Sequence, residues 1–242
     1  ISSALADNTG ALSIGKTGTG TWVLSGNNTY TGATSIYGGT LKLTNAALTT
    51  LAGALVFNAD TASATGWTGF QTAGGSFQYN AAGGSTLTFT SGLTPTAGEG
   101  NISVANAATL TFTPTLGTRS AGAGINFIPN TGAIKFAAAV GGTSGIVGGF
   151  ATINGTDFVT SVGAGGSVAA PAYTPGGAVF NSTIPGQAAT PAVNYFSNGS
   201  NATTGTLTAN SMKINNNGAG GTLTLGGNLT ITTASATSLG GI

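Results

Sequence analysis

Short runs in which apolar residues alternate with Thr or Ser recur along the chain, and breaks rich in Gly and Asn separate them. Such alternation, with β-branched residues inside the run and Gly or Asn outside it, is typical of half-buried β-strands. The predicted strands are Thr21–Ser25, Thr40–Thr44, Ser76–Tyr79, Thr86–Thr90, Asn101–Val104, Thr109–Thr113, Thr206–Ala209, Ser211–Ile214, Thr222–Leu225 and Asn228–Thr232. A helical spacing at Leu48, Leu51 and Leu55 is interrupted by Gly53, which disfavours a helix. The pattern therefore predicts an all-β chain.

Several of the predicted strands share one sequence pattern, a small residue followed by Thr-Leu-x-Leu or Thr-Leu-x-Phe. It occurs at Gly39–Leu43, Ser85–Phe89, Ala108–Phe112 and Gly221–Leu225, and in a weaker form at Gly205–Ala209. A recurring strand pattern favours a parallel β-solenoid, because each coil can bury its inward Leu or Phe against the next coil. The copies are unevenly spaced, and a sandwich or jelly roll is the alternative.

One segment, Gly18–Leu43, reads GTGTWVLSGNNTYTGATSIYGGTLKL. It closely resembles the passenger-associated, autotransporter-type β-strand repeat, whose pattern is GxGThxLSGxNTYTGxTxhxxGTLxL, where h is apolar. The resemblance extends over residues 18–44. It implies a secreted or cell-surface right-handed β-helix of bacterial origin, in which the repeat assists export and folding of the stalk.

The same segment contains the residues that are expected to turn the chain from one strand to the next. We predict structural corners at Gly26, Asn27, Asn28, Gly32, Gly38 and Gly39. The glycines are expected to supply positive φ angles. The two asparagines suit corners where side-chain amides stack from coil to coil and bond exposed backbone groups.

The pattern divides one structural domain into three regions. Solenoid coils are predicted for residues 1–116 and again for 198–242. Between them, residues 117–197 lose the strand pattern and contain a cluster of prolines from Pro171 to Pro191. We predict that this middle region is a lateral excursion packed beside the solenoid, with a hairpin turn at Asn154-Gly155.

Composition removes most catalytic chemistry from consideration. The 242 residues include no His and no Cys, so a Cys/His zinc site, a thiol nucleophile and a Ser-His-Asp triad are excluded. The acids Asp7, Asp60, Glu99 and Asp157 are widely spaced, and each is expected to cap a turn or to face solvent. We therefore predict no enzyme activity, no catalytic residues, no cofactor and no metal site.

The small number of charged residues limits the expected partners. The five Lys and Arg residues form no basic stripe for a phosphate backbone, so nucleic acid is not expected to bind. No segment reaches the ~18–20 uninterrupted apolar residues of a membrane-spanning helix. Aromatic residues could form a sugar-binding platform, but Trp22 occupies an alternating strand position and is expected to pack inside.

Solenoids usually carry charged capping units at their two open ends, and charged residues are absent from both ends of this sequence. We therefore expect self-association ends at Ile1, Leu5, Leu239 and Ile242, which stack head to tail on another copy or on adjoining coils of a longer chain. The expected function is an extracellular structural protein, a subunit of a cell-surface fibre, stalk or adhesin. The alternative is a surface-binding module for ice or polysaccharide that uses outward Thr ladders such as those at Thr86–Thr90 and Thr109–Thr113.

Overall fold

The computed structural model describes residues 1–58, 74–113, 116–141, 145–160, 162–174, 180–181, 188–189, 194–198, 201–202, 206–209, 211–215 and 223–231. Within these ranges the chain is built from β-strands, and no helix is long and apolar enough to cross a membrane. The all-β prediction is confirmed. The described residues form two compact units, the first comprising Ile1–Val140, Thr152–Gly155 and Val162–Val168, and the second Gly141–Ala151, Thr156–Ser161 and Ala169–Ile242.

The strands are short, as the brief alternating runs of the sequence require. In the first half of the chain they are β1 (Ile14–Lys16), β2 (Thr21–Leu24), β3 (Thr34–Ile36), β4 (Thr40–Leu43), β5 (Thr50–Leu51), β6 (Leu55–Asn58), β7 (Ser76–Tyr79), β8 (Thr86–Phe89), β9 (Leu93–Ala97), β10 (Glu99–Val104) and β11 (Thr109–Phe112). They continue as β12 (Gly124–Ile128), β13 (Ala133–Phe136), β14 (Ala151–Ile153), β15 (Asp157–Phe158), β16 (Tyr173–Thr174), β17 (Phe180–Asn181), β18 (Ala188–Ala189), β19 (Asn194–Asn198), β20 (Asn201–Ala202), β21 (Leu207–Ala209), β22 (Ser211–Asn215), β23 (Leu223–Thr224) and β24 (Leu229–Ile231).

The first unit distributes its strands in turn among three sheets. One sheet has the order β1-β3-β6-β9, another runs β2-β4-β7-β10-β12 and then β14, and the third has the order β5-β8-β11-β13. The strand pairs from β1 to β13 are parallel. Parallel stacking of successive chain turns in separate sheets is consistent with a β-solenoid, and it is not the antiparallel pairing of the sandwich alternative. The stacking includes β12 and β13, beyond the boundary predicted at residue 116; the three-region division itself stays a prediction.

Inward side chains form columns along each sheet because the strands pair in register, with one shift between Phe57 and Asn58 in the β6–β9 pair. In the second sheet Leu41, Phe77 and Ile102 lie on adjacent strands in one column, and all three are fully buried. One column of the third sheet is largely aromatic, with ring centroids 5.8 Å apart for Phe89 and Phe112 and 5.6 Å for Phe112 and Phe136. Two rings of the second sheet contact this column, Phe77 at 5.5 Å from Phe89 and Phe127 at 6.0 Å from Phe136. Recurrent Leu and Phe positions therefore become a continuous core.

The second unit contains three smaller groups of strands. Their orders are β16-β17-β19-β22, β18-β21-β24 and β20-β23, and all of the pairs are parallel. Tyr195, Leu207, Ala209 and Met212 form its buried cluster, with Leu229 packed against them. An ion pair joins Asp157 to Lys213.

The predicted hairpin turn at Asn154-Gly155 is confirmed. The φ angles are 54° at Asn154 and 67° at Gly155, and these residues with Thr156 form the turn between β14 and β15. Positive φ at both central positions is the geometry of a type I′ turn, which Asn-Gly favours.

Candidate functional site

Carboxylates are dispersed in the part of the chain that the structure describes. Glu99 is exposed on β10, Asp157 pairs with Lys213, and Asp7 binds neighbouring backbone, whereas Asp60 lies outside the described residues. No group of three His, Cys, Asp or Glu side chains that could hold a metal ion occurs among the described residues. Polar side chains that connect successive turns of the chain lie instead near its beginning, at Asp7 and Lys16.

Asp7 connects two successive turns of the chain. Its Oδ1 atom accepts hydrogen bonds from the backbone N–H of Leu12, at 2.8 Å, and of Thr31, at 3.0 Å, and its Oδ2 accepts from Thr31 Oγ1 at 2.6 Å. The side-chain hydrogen bond from Thr31, followed by the two backbone hydrogen bonds, lowers the pKa of Asp7 below its ordinary value of 3.8. The expected capping role of this acid is confirmed.

The Asp7 contacts predict an acid-sensitive contribution to stability. Because the folded-state pKa lies below 3.8, the contribution is present above that pH and is lost as the pH falls through the folded-state value. We expect Asp7→Asn to lower the melting temperature near neutral pH, with the difference from the parent chain shrinking in strong acid. Thermal melts over a pH series check this expectation. Thr9→Ala, a substitution at an exposed position nearby, is the control, and a difference for Asp7→Asn that does not change with pH would contradict it.

Lys16 is a buried cation held by backbone carbonyls. Its Nζ atom donates hydrogen bonds to the carbonyl oxygens of Thr17 at 2.6 Å, Gly18 at 2.9 Å and Gly38 at 3.0 Å. The same atom lies 5.8 Å from the ring centroid of Trp22, within cation–π range. Burial lowers the pKa of Lys16. The side chain thus fastens one turn of the chain to the following one.

The predicted end residue Ile1 lies beside the second sheet. Its amino group donates to the carbonyl of Val23 at 2.7 Å, and its carbonyl accepts from the N–H of Ser25 at 2.9 Å. This pair of bonds is the parallel pattern, so Ile1 is the neighbour of Leu24. The other predicted ends are Leu5, which is half-buried, and Leu239 and Ile242, which lie outside the described residues. Self-association at these four positions stays a prediction.

Trp22 differs from every other residue in its column of the second sheet. The residues aligned with it are Leu41, Phe77, Ile102 and Phe127, and their exposed fractions are 0 to 1 %. Trp22 is 44 % exposed: β4 covers one side of it, and on the other side Ile1 is paired beside Leu24 and not beside Trp22. The expectation that Trp22 packs inside is therefore only half right: it stands at an inward position, but its outer side is open.

Outward threonines align on the third sheet. Thr50, Thr88 and Thr111 form one row, and Thr86 and Thr109 form the row beside it. The rows end at Lys135 and Ala133 on β13. Part of the predicted Thr ladder is therefore present, over the strands β5, β8 and β11.

A family model for the passenger-associated-transport repeat matches residues 15–43. Residues 15–43, the transport repeat, are therefore similar to this family. The match confirms the resemblance seen in the sequence, and it points to a β-helix domain of the autotransporter-passenger type, a family that suggests a secreted or surface location. No curated protein and no solved structure matches the chain.

The glycines of the transport repeat are required for two different reasons. Gly39 has φ of 65°, as predicted, and a Cβ atom there would collide with the carbonyl oxygens of Gly18 and Gly20. The positive φ predicted at Gly26, Gly32 and Gly38 is wrong. At Gly26 and Gly32 the reason for glycine is close approach, since a Cβ atom would collide with the backbone of Ser3 and of Leu12, respectively.

The predicted asparagine contacts are present at one of the two repeat positions. Asn28 is buried and its Oδ1 atom accepts the N–H of Leu5 at 3.0 Å, whereas Asn27 is exposed. An asparagine ladder, in which side-chain amides bond from turn to turn, lies outside the repeat, where Asn126 Nδ2 donates to Asn101 Oδ1 at 3.0 Å. The prediction missed this ladder, although the signal, two asparagines 25 residues apart, is in the sequence.

Proposed function

We propose that this chain is an extracellular structural protein, a β-solenoid subunit of a cell-surface fibre, stalk or adhesin. In this proposal the coils are right-handed, the middle region packs laterally beside them, and the chain has no catalytic activity. The partners are other copies of the chain or adjoining coils of a longer one, and nucleic acid is not among them. The proposed mechanism is structural: the stacked coils carry load, and the lateral loops make contacts.

The observation that carries the proposal is the parallel pairing of consecutive turns within the first unit, which is in register except at the end of the β6–β9 pair. Because each strand bonds the strands above and below it, backbone hydrogen bonds follow the direction of stacking. The buried aromatic column adds side-chain packing along the same direction. The passenger-associated-transport repeat supports export to the surface, where a stalk of this kind would act.

The location and the form of the protein can be tested together. Antibodies against the purified chain, coupled to gold, are expected to label extended structures on intact cells of the source organism in electron micrographs. A strain that lacks the gene is the control and should show no label. Label that appears only after the cells are broken would contradict the proposal. An experimental structure determined from the same material tests the hand of the coil and the position of residues 117–197.

The alternative function is favoured by one specific observation, the two aligned Thr rows of the third sheet. A flat array of hydroxyl and methyl groups at strand spacing suits an ordered surface such as ice or a crystalline polysaccharide. If the rows bind such a surface, Thr111→Lys should reduce retention on it, whereas Thr40→Lys, on the second sheet, should not. Equal retention of both variants and the parent chain would reject this alternative.

A further inference from the structure

The hairpin turn at Asn154-Gly155 contains a dipeptide that is prone to a spontaneous reaction. In an Asn-Gly pair the glycine nitrogen can attack the asparagine side-chain carbon Cγ, because glycine has no Cβ atom to hinder the approach. The new N–Cγ bond closes a succinimide ring, and the glycine N–H proton passes through solvent to the side-chain nitrogen, which leaves as ammonia. Water then opens the ring to aspartate or isoaspartate. Asn154 and Gly155 are both exposed, so solvent reaches them.

The attacking group of this reaction is held by a buried side chain. The Gly155 N–H donates to Asn126 Oδ1 at 2.8 Å, and Thr152 Oγ1 donates to the same oxygen at 3.2 Å. Asn126 lies on β12 and is 7 % exposed, and its Nδ2 atom donates to Asn101 Oδ1 at 3.0 Å. A backbone N–H can only donate, so the atom that faces Gly155 must be the amide oxygen of Asn126.

A second hydrogen bond fixes the other residue of the turn. The Asn154 N–H donates to the carbonyl oxygen of Phe127, also on β12, at 2.8 Å. Ring closure requires rotation of the turn backbone and removal of the Gly155 proton. The two bonds to β12 oppose the rotation, and an amide oxygen accepts the hydrogen bond but is too weak a base to remove the proton. Both requirements of the reaction are therefore blocked by contacts within the first unit.

We propose that Asn154 is a latent deamidation site and that Asn126 keeps it unreactive by holding the Gly155 N–H. Asn126 takes no part in the reaction, so it is a positioning residue. The inference rests on the geometry of the first unit and does not depend on the proposed function. Conversion to isoaspartate would add the Cβ atom of residue 154 to the main chain and a negative charge to the turn. The altered backbone no longer fits a type I′ turn.

The test measures the deamidation rate at residue 154 of the full chain in warm, mildly alkaline buffer. Peptide mapping by mass spectrometry quantifies aspartate and isoaspartate at this position, and the same chain in guanidinium chloride is the unprotected reference. The folded parent chain is expected to react about tenfold more slowly than the reference, or slower still, and Asn126→Ala is expected to raise the folded-state rate about tenfold, because the Gly155 N–H loses its buried acceptor.

Two further variants separate the loss of this acceptor from a general loosening of the turn. Asn126→Asp keeps an oxygen that can accept the Gly155 N–H, so it should react as slowly as the parent chain. Thr152→Val removes the other hydrogen bond to Asn126 Oδ1 but leaves the Gly155 bond in place, so its rate should also stay at the parent value. Circular dichroism spectra verify that each variant retains the fold.

A second measurement needs no variant. Although Gly155 is exposed, its N–H should exchange slowly with deuterium in the folded parent chain, because it is bonded to a buried side chain. Exchange as fast as in the denatured chain would overturn the proposal. A folded parent chain that deamidates at the denatured rate, an unchanged rate in folded Asn126→Ala, or equally fast reaction of Asn126→Asp and Asn126→Ala would each overturn it as well.

Discussion

Phe112→Ala is expected to lower the free energy of unfolding of the first unit by about 4 kcal/mol. Phe112 is fully buried and lies between two aromatic neighbours, with ring centroids 5.8 Å from Phe89 and 5.6 Å from Phe136. Removal of the ring loses its transfer free energy and leaves a cavity between adjacent turns of the chain, which backbone pairing prevents from closing. Chemical denaturation monitored by circular dichroism measures the loss.

The matched control for this prediction lies on the same strand. Thr111 precedes Phe112 on β11 and points outward in the Thr row, so Thr111→Ala should cost less than about 1 kcal/mol. Phe112→Leu should fall between the two, because it fills most of the volume but loses the ring contacts. Equal losses for Phe112→Ala and Thr111→Ala would mean that the aromatic column does not support the stacked coils.

Much of the fold could be predicted because side chains along a solenoid strand alternate regularly between the core and the surface. The alternation in Thr86–Phe89 and Thr109–Phe112 places Leu and Phe inward and Thr outward, and the structure pairs these two strands position by position. The shared pattern was informative because identical strands in neighbouring turns bury identical side chains against one another. The Asn-Gly turn was predictable for a local reason, since only a few residue pairs accept two positive φ angles.

Other features depend on which turns become neighbours, and a strand pattern does not contain this information. The carbonyls around Lys16 come from its own loop and from Gly38, and they meet only after the chain has made a full turn. The opening at Trp22 has the same origin, because exposure there depends on whether another strand covers β2. Alternation assigns Trp22 correctly to the inward face but does not show how many neighbours the strand has.

The glycines illustrate the same distinction. A positive φ is a local property, and Gly39 fulfils the prediction because its conformation is set by its own turn. Gly26 and Gly32 are needed because other backbone segments pass very close to them. Close approach depends on how neighbouring turns of the chain stack. It therefore identifies further essential glycines, which the rules for local turns do not predict. Gly53, which the sequence suggested only as a helix breaker, is one of them.

Gly53→Ala is therefore expected to destabilise the first unit by about 3 kcal/mol, the second largest effect that we predict. Gly53 is buried, and a Cβ atom there would lie 1.9 Å from the carbonyl oxygen of Gly32, 2.4 Å from its carbonyl carbon and 2.8 Å from the nitrogen of Ala33. These are backbone atoms of the neighbouring turn, so no side chain can move aside and the turns themselves must separate. Because φ at Gly53 is not positive, the whole effect is attributed to this contact.

Gly20→Ala is the matched control for Gly53→Ala within the same unit. Gly20 also lacks a positive φ, but no atom lies within 4 Å of the position that its Cβ would occupy. Alanine there should be neutral or should stabilise the chain by up to about 1 kcal/mol, because it restricts the unfolded state. The two variants are compared by chemical denaturation under identical conditions. If both are neutral, the turns around Gly53 do not pack as closely as the structure places them, and close stacking is not what requires glycine at this position.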